Sequence, residues 1–224
     1  MTDVTKVDST EAESEKGFSL SRRGFFAASG GVAAAALVFA ACSSDDSDSS
    51  SGSGGGSSSS KKNVDLDTAA FAASLEVLAV NTYKAALDAA TANKLGPVPA
   101  AGATFVQTAM VQHQAHLDRW NSVLQQGGRQ AVTAPDMKLK ATVDTEFAKV
   151  TDFGGAAKLA RTLERIAAAT YQKAIPTLTS GAAIETAGSI NIIDMQHVAV
   201  LNFVLGEYPV PDTFAKTEMA ASPS

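Results

Sequence analysis

The residues of this chain that could hold a metal ion fall into a pattern written twice. The segment Leu75 to Tyr83 aligns with Leu163 to Tyr171, so Glu76 and Tyr83 match Glu164 and Tyr171. Downstream, His113-Gln114-Ala115-His116 aligns with Asp194-Met195-Gln196-His197, and both copies run on to an Asn-x-Val-Leu ending at Asn121 and Asn202. All three histidines of the chain lie in these segments. On a helix, residues three or seven apart share a face. Glu76 and Tyr83 therefore project together, as do Glu164 and Tyr171, His113 and His116, and Asp194 and His197. Their faces also carry Ala72, Ala79, Val80, Ile190, Ile193, Leu201 and Val204, which turn the polar groups toward an interior. There an unpaired carboxylate costs several kcal/mol, a cost that a cation among them offsets. Glu–Tyr pairs and single histidines also occur as hydrogen-bonded core groups without metal. The concentration of every histidine at ligand spacing favours the metal reading.

Four helices must position these groups. The first expected helix runs from Leu66-Asp67-Thr68 to about Asn93, stopped by Gly96-Pro97-Val98-Pro99, and the second from Thr104 to Gln126, closed by Gly127-Gly128. The third begins after Gly154-Gly155 and fades near Pro176, and the fourth spans about Thr186 to Gly206. Each is roughly 30–38 Å long at 1.5 Å per residue. Helices one and two, and helices three and four, are joined by short loops, as antiparallel neighbours require. Gly127 to Phe153 is too long for a plain turn and reads as a crossover with one short helix near Thr142 to Val150. The fold class is all-α: an antiparallel four-helix bundle with a long crossover between helices two and three.

With this order of helices and this repeat, the chain resembles the ferritin-like superfamily, in particular bacterial proteins related to rubrerythrins and bacterioferritins. The family pattern is one Glu from each of two helices and Glu-x-x-His from each of the other two. The resemblance covers roughly residues 65–207. It implies that Glu76, Glu164, His116 and His197 are ligands, with Asp194 and His113 standing where bridging glutamates are usual. The implied site has three carboxylates and three imidazoles, and Tyr83 and Tyr171 donate hydrogen bonds to its carboxylates from outside. It implies two transition-metal ions, iron first, with manganese or zinc as alternatives and a single ion as a further one. Imidazole ligands suit iron, zinc or copper better than calcium or magnesium. Trp120 is read as packing.

The ends of the chain carry addresses. Ser21-Arg22-Arg23-Gly24-Phe25-Phe26 is a twin-arginine export motif, and the Ala/Gly-rich apolar run from Ala27 to Ala41 is short for a membrane span. Phe39-Ala40-Ala41-Cys42 looks like a lipoprotein cleavage site, with Phe39 where Leu is usual. Cys42, the only cysteine, has no partner for a disulfide and is read as the lipidation site. The Ser/Gly/Asp-rich stretch beyond it cannot bury enough apolar surface to fold and reads as a tether. The expected division is a signal peptide over 1–41, lipidated Cys and tether over 42–62, the bundle over 63–210 and a tail over 211–224.

The formal charge is −5, and residues 1–41 hold four basic and five acidic groups, so −5 + 1 leaves −4 after cleavage. A mildly acidic domain without a basic stripe excludes nucleic acid as a partner. The sequence thus points to an exported protein, anchored at the membrane through Cys42 on the outer face of the cytoplasmic membrane or in the cell envelope. Its expected work is iron and oxygen or peroxide redox chemistry. The competing reading is a catalytically silent bundle that binds one metal or none and serves as an envelope scaffold. A homodimer and an envelope protein partner are both left open.

Overall fold

The computed structural model describes residues 56–223, with side-chain surroundings from residue 63 onward. Arg22, Arg23, Cys42 and the proposed cleavage site lie outside the described residues. Five α-helices follow one another: α1 (Gly56–Thr91), α2 (Ala100–Gln126), α3 (Met137–Phe147), α4 (Phe153–Ala174) and α5 (Gly181–Val204), with a 3-10 turn at Ile175–Thr177. α1 packs along α2 and α4 along α5, and the two hairpins meet through α1 with α4 and α2 with α5. The bundle is thus α1, α2, α4 and α5, with α3 riding on the crossover, as the all-α four-helix reading expects.

Helix ends follow local chemistry, and they move several expected boundaries. Asp136, Asp152 and Ser180 cap α3, α4 and α5, accepting from the backbone N–H of Leu139, Gly155 and Ala183 at 2.9, 2.6 and 3.3 Å. The Ser180 cap starts α5 at Gly181 rather than Thr186, and the Asp136 cap moves the crossover helix forward to Met137–Phe147. α1 begins at Gly56, ahead of Leu66 and inside the stretch 42–62 read as tether. Adding a turn to a helix already nucleated costs little, even with serines. Pro176 lacks an N–H, so α4 gives way to the 3-10 turn. At the end of α2, a Cβ on Gly127 would come within 2.3 Å of Leu66 Cδ2, and Gly128 takes a φ of +83°. The Gly-Gly pair therefore lets α1 approach and the chain reverse.

The repeated Asn serves the same purpose in both halves. Asn121 accepts from Val132 N–H at 2.7 Å and donates to Val132 O at 3.0 Å, which pins the crossover against α2. Asn202, fully buried, donates to Pro209 O at 3.1 Å and holds the chain that leaves α5. That chain then lies along α4, where Glu207 pairs with Arg161 at 2.5 Å and Ala221 N–H bonds Thr170 Oγ1 at 2.8 Å.

The core at the other end of the bundle joins Leu66, Ala69, Ala73, Trp120, Leu124 and Leu178. Small residues on α1 let its neighbours come close, and Trp120 fills the middle with no exposed surface. Buried Asp65 fastens this end: it accepts from Thr179 N–H and Thr179 Oγ1, both at 2.9 Å, and from Ser180 N–H at 2.7 Å. One carboxylate of α1 thereby satisfies the turn that opens α5. Hydrogen bonds to a charged group contribute about 1.5–3 kcal/mol, and losing them strands buried donors. Asp65→Ala should lower the unfolding free energy by about 2–4 kcal/mol in urea titrations. A change below about 0.5 kcal/mol, the level of an ordinary surface substitution, would show that the turn is held by packing alone.

Candidate metal centre

The six expected ligands converge at one level of the bundle. Glu76 comes from α1, His113 and His116 from α2, Glu164 from α4, and Asp194 and His197 from α5. All are buried except His116, which is half-buried. They form two overlapping groups whose ligand-type atoms lie within 4.8 Å of one another. One is His113, Glu164, Asp194 and His197; the other is Glu76, His113 and His116. His113 belongs to both.

Its ring sits between the two glutamates, with Nδ1 2.7 Å from Glu76 Oε2 and Nε2 3.1 Å from Glu164 Oε1. A carboxylate only accepts, so both nitrogens donate and the ring is an imidazolium. Burial opposes that charge, but Glu164 and Glu76 outweigh it and raise the His113 pKa well above its ordinary value. The reverse holds for the acids. Burial alone would raise Glu76, yet His113 and His116 bring it down to about 2. Glu164 is likewise held far below the usual carboxylate range by His113 and His197 against the effect of burial. For Asp194 the charge of His113 is outweighed. Burial, with the charges of Glu164 and Glu76 nearby, pushes its pKa well up.

The tyrosines donate to carboxylates, but across the bundle. Tyr83 on α1 bonds Glu164 Oε1 on α4, and Tyr171 on α4 bonds Glu76 Oε1 on α1 at 2.5 Å. Burial and the neighbouring carboxylates raise both phenol pKa values, so both remain donors at neutral pH. Trp120, read from the sequence as packing, also donates from Nε1 to Tyr171 OH at 2.9 Å and stacks on its ring, which extends the chain from Glu76. Gln112 was not legible as a site residue. Its Oε1 lies 2.7 Å from His197 Nε2 and orients the ring, whose Nδ1 lies 3.3 Å from Glu164 Oε1. Its place beside His113 is a weak signal, because the repeat puts Ile193 opposite it.

The donor set suits a transition metal, and five buried atoms of these side chains have no hydrogen-bond partner: His116 Nδ1, Glu164 Oε2, both Asp194 oxygens and His197 Nδ1. Buried polar atoms are normally satisfied, so five orphans converging on one site are unusual without a ligand. Imidazole nitrogen and carboxylate oxygen are the ligand types that iron, manganese and zinc share.

The comparisons with known proteins agree with the architecture. The ferritin-like domain family model matches residues 64–207, and the chain belongs to that family. No curated protein matches it. The matched span contains all four bundle helices from residue 64 on and every residue of the cluster.

The charge states predict how a cation would enter. In the metal-free protein His113 faces a carboxylate from each ring nitrogen, and burial beside Glu164 and Glu76 raises the Asp194 pKa. A cation taking the four-residue group displaces a proton from His113 and any held by Asp194, so binding should release about one to two protons and tighten as pH rises. Calorimetric titration with zinc in buffers of different ionisation enthalpy reads this number. Buffer-independent heats would show that neither group gives up a proton to the ion.

Proposed function

We propose that this ferritin-like protein holds transition-metal ions, two of them iron when fully loaded, in the carboxylate–histidine cluster and uses them for redox chemistry on oxygen species outside the cytoplasm. The observation that carries the reading is the set of five unpartnered buried ligand atoms on four helices. Glu76, Glu164 and Asp194 would supply oxygens, and His113, His116 and His197 would supply nitrogens. Iron bound there would bring electron transfer to dioxygen or peroxide. The chain's own contribution is positional. Tyr83 and Tyr171 fix the glutamate rotamers, Gln112 orients the His197 ring, and the bundle keeps the site out of bulk water.

A second reading is favoured by one specific observation: His113 engages both glutamates with both ring nitrogens. An internal cation of that kind supports a bundle that takes one ion or none and works as an envelope scaffold. Metal content separates the two readings. Protein loaded anaerobically with ferrous iron should carry one to two ions per chain by elemental analysis. The double substitution Glu76→Ala and Glu164→Ala should abolish this while circular dichroism stays helical. His113→Glu should raise the iron stoichiometry and the rate of oxygen-dependent oxidation, since it gives two oxygens and takes the site charge from −3 to −4. No iron in either the unaltered protein or His113→Glu would leave the scaffold reading in place.

Export by the Arg22-Arg23 motif and anchoring at Cys42 belong to the same proposal. Among the described residues no helix is long and apolar enough to cross a membrane. Cys42→Ala should release the protein from the membrane fraction or leave it as uncleaved precursor, and lysines at both Arg22 and Arg23 should stop export. Unchanged fractionation, with no lipid on the Cys42 peptide by mass spectrometry, would remove the anchor from the proposal.

A further inference from the structure

We infer that the apolar cavity beside the carboxylate cluster is a binding site for a single unbranched aliphatic chain of about eight carbons, carrying an uncharged, hydrogen-bond-donating head such as a primary alcohol. The cavity has a volume of about 150 Å³ and lies among α1, α2, α3, α4 and the end of α5. An engineered apolar cavity of about that volume stays dry and takes up benzene. Here the shape is drawn out. The α1 wall runs from Leu75 to Ala90, which is about 22 Å of helix at 1.5 Å per residue. A stretched chain fits such a shape better than a ring. Ala160 and Leu163 of α4 face α1 across it, and α3 closes it with Leu139, Val143 and Phe147. Those α3 residues recur at four-residue spacing, so the crossover helix presents one apolar stripe to the cavity.

The polarity has a direction. The walls are almost wholly apolar and cannot offer a water the two to four polar partners it needs. At the cluster end, however, the lining includes Tyr83, His113 and Glu164. Glu164 Oε1 is taken by Tyr83 and His113, whereas Oε2 is buried without a partner. A head that donates a hydrogen bond satisfies that oxygen. An anionic head meets Glu164 and, close behind it, Glu76, and is repelled. The inference concerns the metal-free protein, so it stands or falls separately from the redox reading.

The test is displacement of a fluorescent apolar dye from the purified, chelator-treated protein by 1-alkanols of increasing length. Affinity should rise about fourfold per methylene up to about eight carbons and then level off. Octanol should bind once per chain and at least tenfold more tightly than octanoate. Ala86→Phe and Ala160→Phe, which fill the cavity from opposite walls, should each weaken octanol binding at least tenfold, with the helices retained by circular dichroism. Phe203→Ser, on the exposed face of α5, should leave it unchanged. The methyl resonances of Ala86 and Ala160 in the unaltered protein should shift on adding octanol, a readout that needs no variant. Affinity that climbs through decanol without a plateau, octanoate binding as tightly as octanol, unmoved Ala86 and Ala160 methyls, or loss of binding in Phe203→Ser would each overturn the inference.

Discussion

Three carboxylates withdrawn from water at one level of a narrow bundle are the constraint on which the rest of this structure depends. Three negative charges so close together and so deeply buried cannot all persist. The chain resolves this by treating the acids in two ways. Glu76 and Glu164 remain ionised because the His113 imidazolium lies between them. Asp194, on α5, is left with a pKa pushed well up by burial and by the two ionised acids. The tyrosines then supply the neutral donors that the two ionised groups still need. A cation entering the site would therefore compete with the His113 imidazolium for the two glutamates.

The same groups also tie the bundle together where apolar packing is thin. α1 and α4 face each other across the cavity, and few of their side chains interlock there. The crossed bonds from Tyr83 to Glu164 and from Tyr171 to Glu76 are reciprocal links over that gap. At the opposite end, Trp120, Leu124 and the small residues of α1 make a dense core, and Asp65 fixes the turn before α5. Burial thus holds one end of the molecule and a polar network holds the other. Site geometry and fold stability are for that reason coupled through the two glutamates.

Much of this was legible in the sequence because a repeat states its face pattern twice. The helix order, the crossover and the convergence of Glu76, His113, His116, Glu164, Asp194 and His197 follow from periodicity and spacing. Helical spacing says which side chains share a face but not which neighbour they meet. The crossing of the tyrosines to the glutamate of the other half was therefore invisible, although Tyr83 and Glu76 do lie on one face. Gln112 and Asp65 were missed for a related reason: each acts through long-range hydrogen bonds from a position that the repeat does not mark. The helix starts at Gly56 and Gly181 depend on cheap elongation and on a serine cap, which composition reads as loop.

The repeat is symmetric in backbone and asymmetric in charge, and the asymmetry limits what the site can hold at once. His113 and Asp194 occupy equivalent positions, yet one is a cation with both nitrogens engaged and the other an acid with both oxygens unpartnered. The two ligand groups share His113, and a neutral imidazole has one lone pair to give. Whichever group takes that lone pair leaves the other short of a ligand. The group of His113, Glu164, Asp194 and His197 has two carboxylates to offset a divalent charge, while Glu76, His113 and His116 has one. On the proposed metal reading, a first ion would be held by the group with Glu164 and Asp194, and Glu76 and His116 would remain as the pair available to a second.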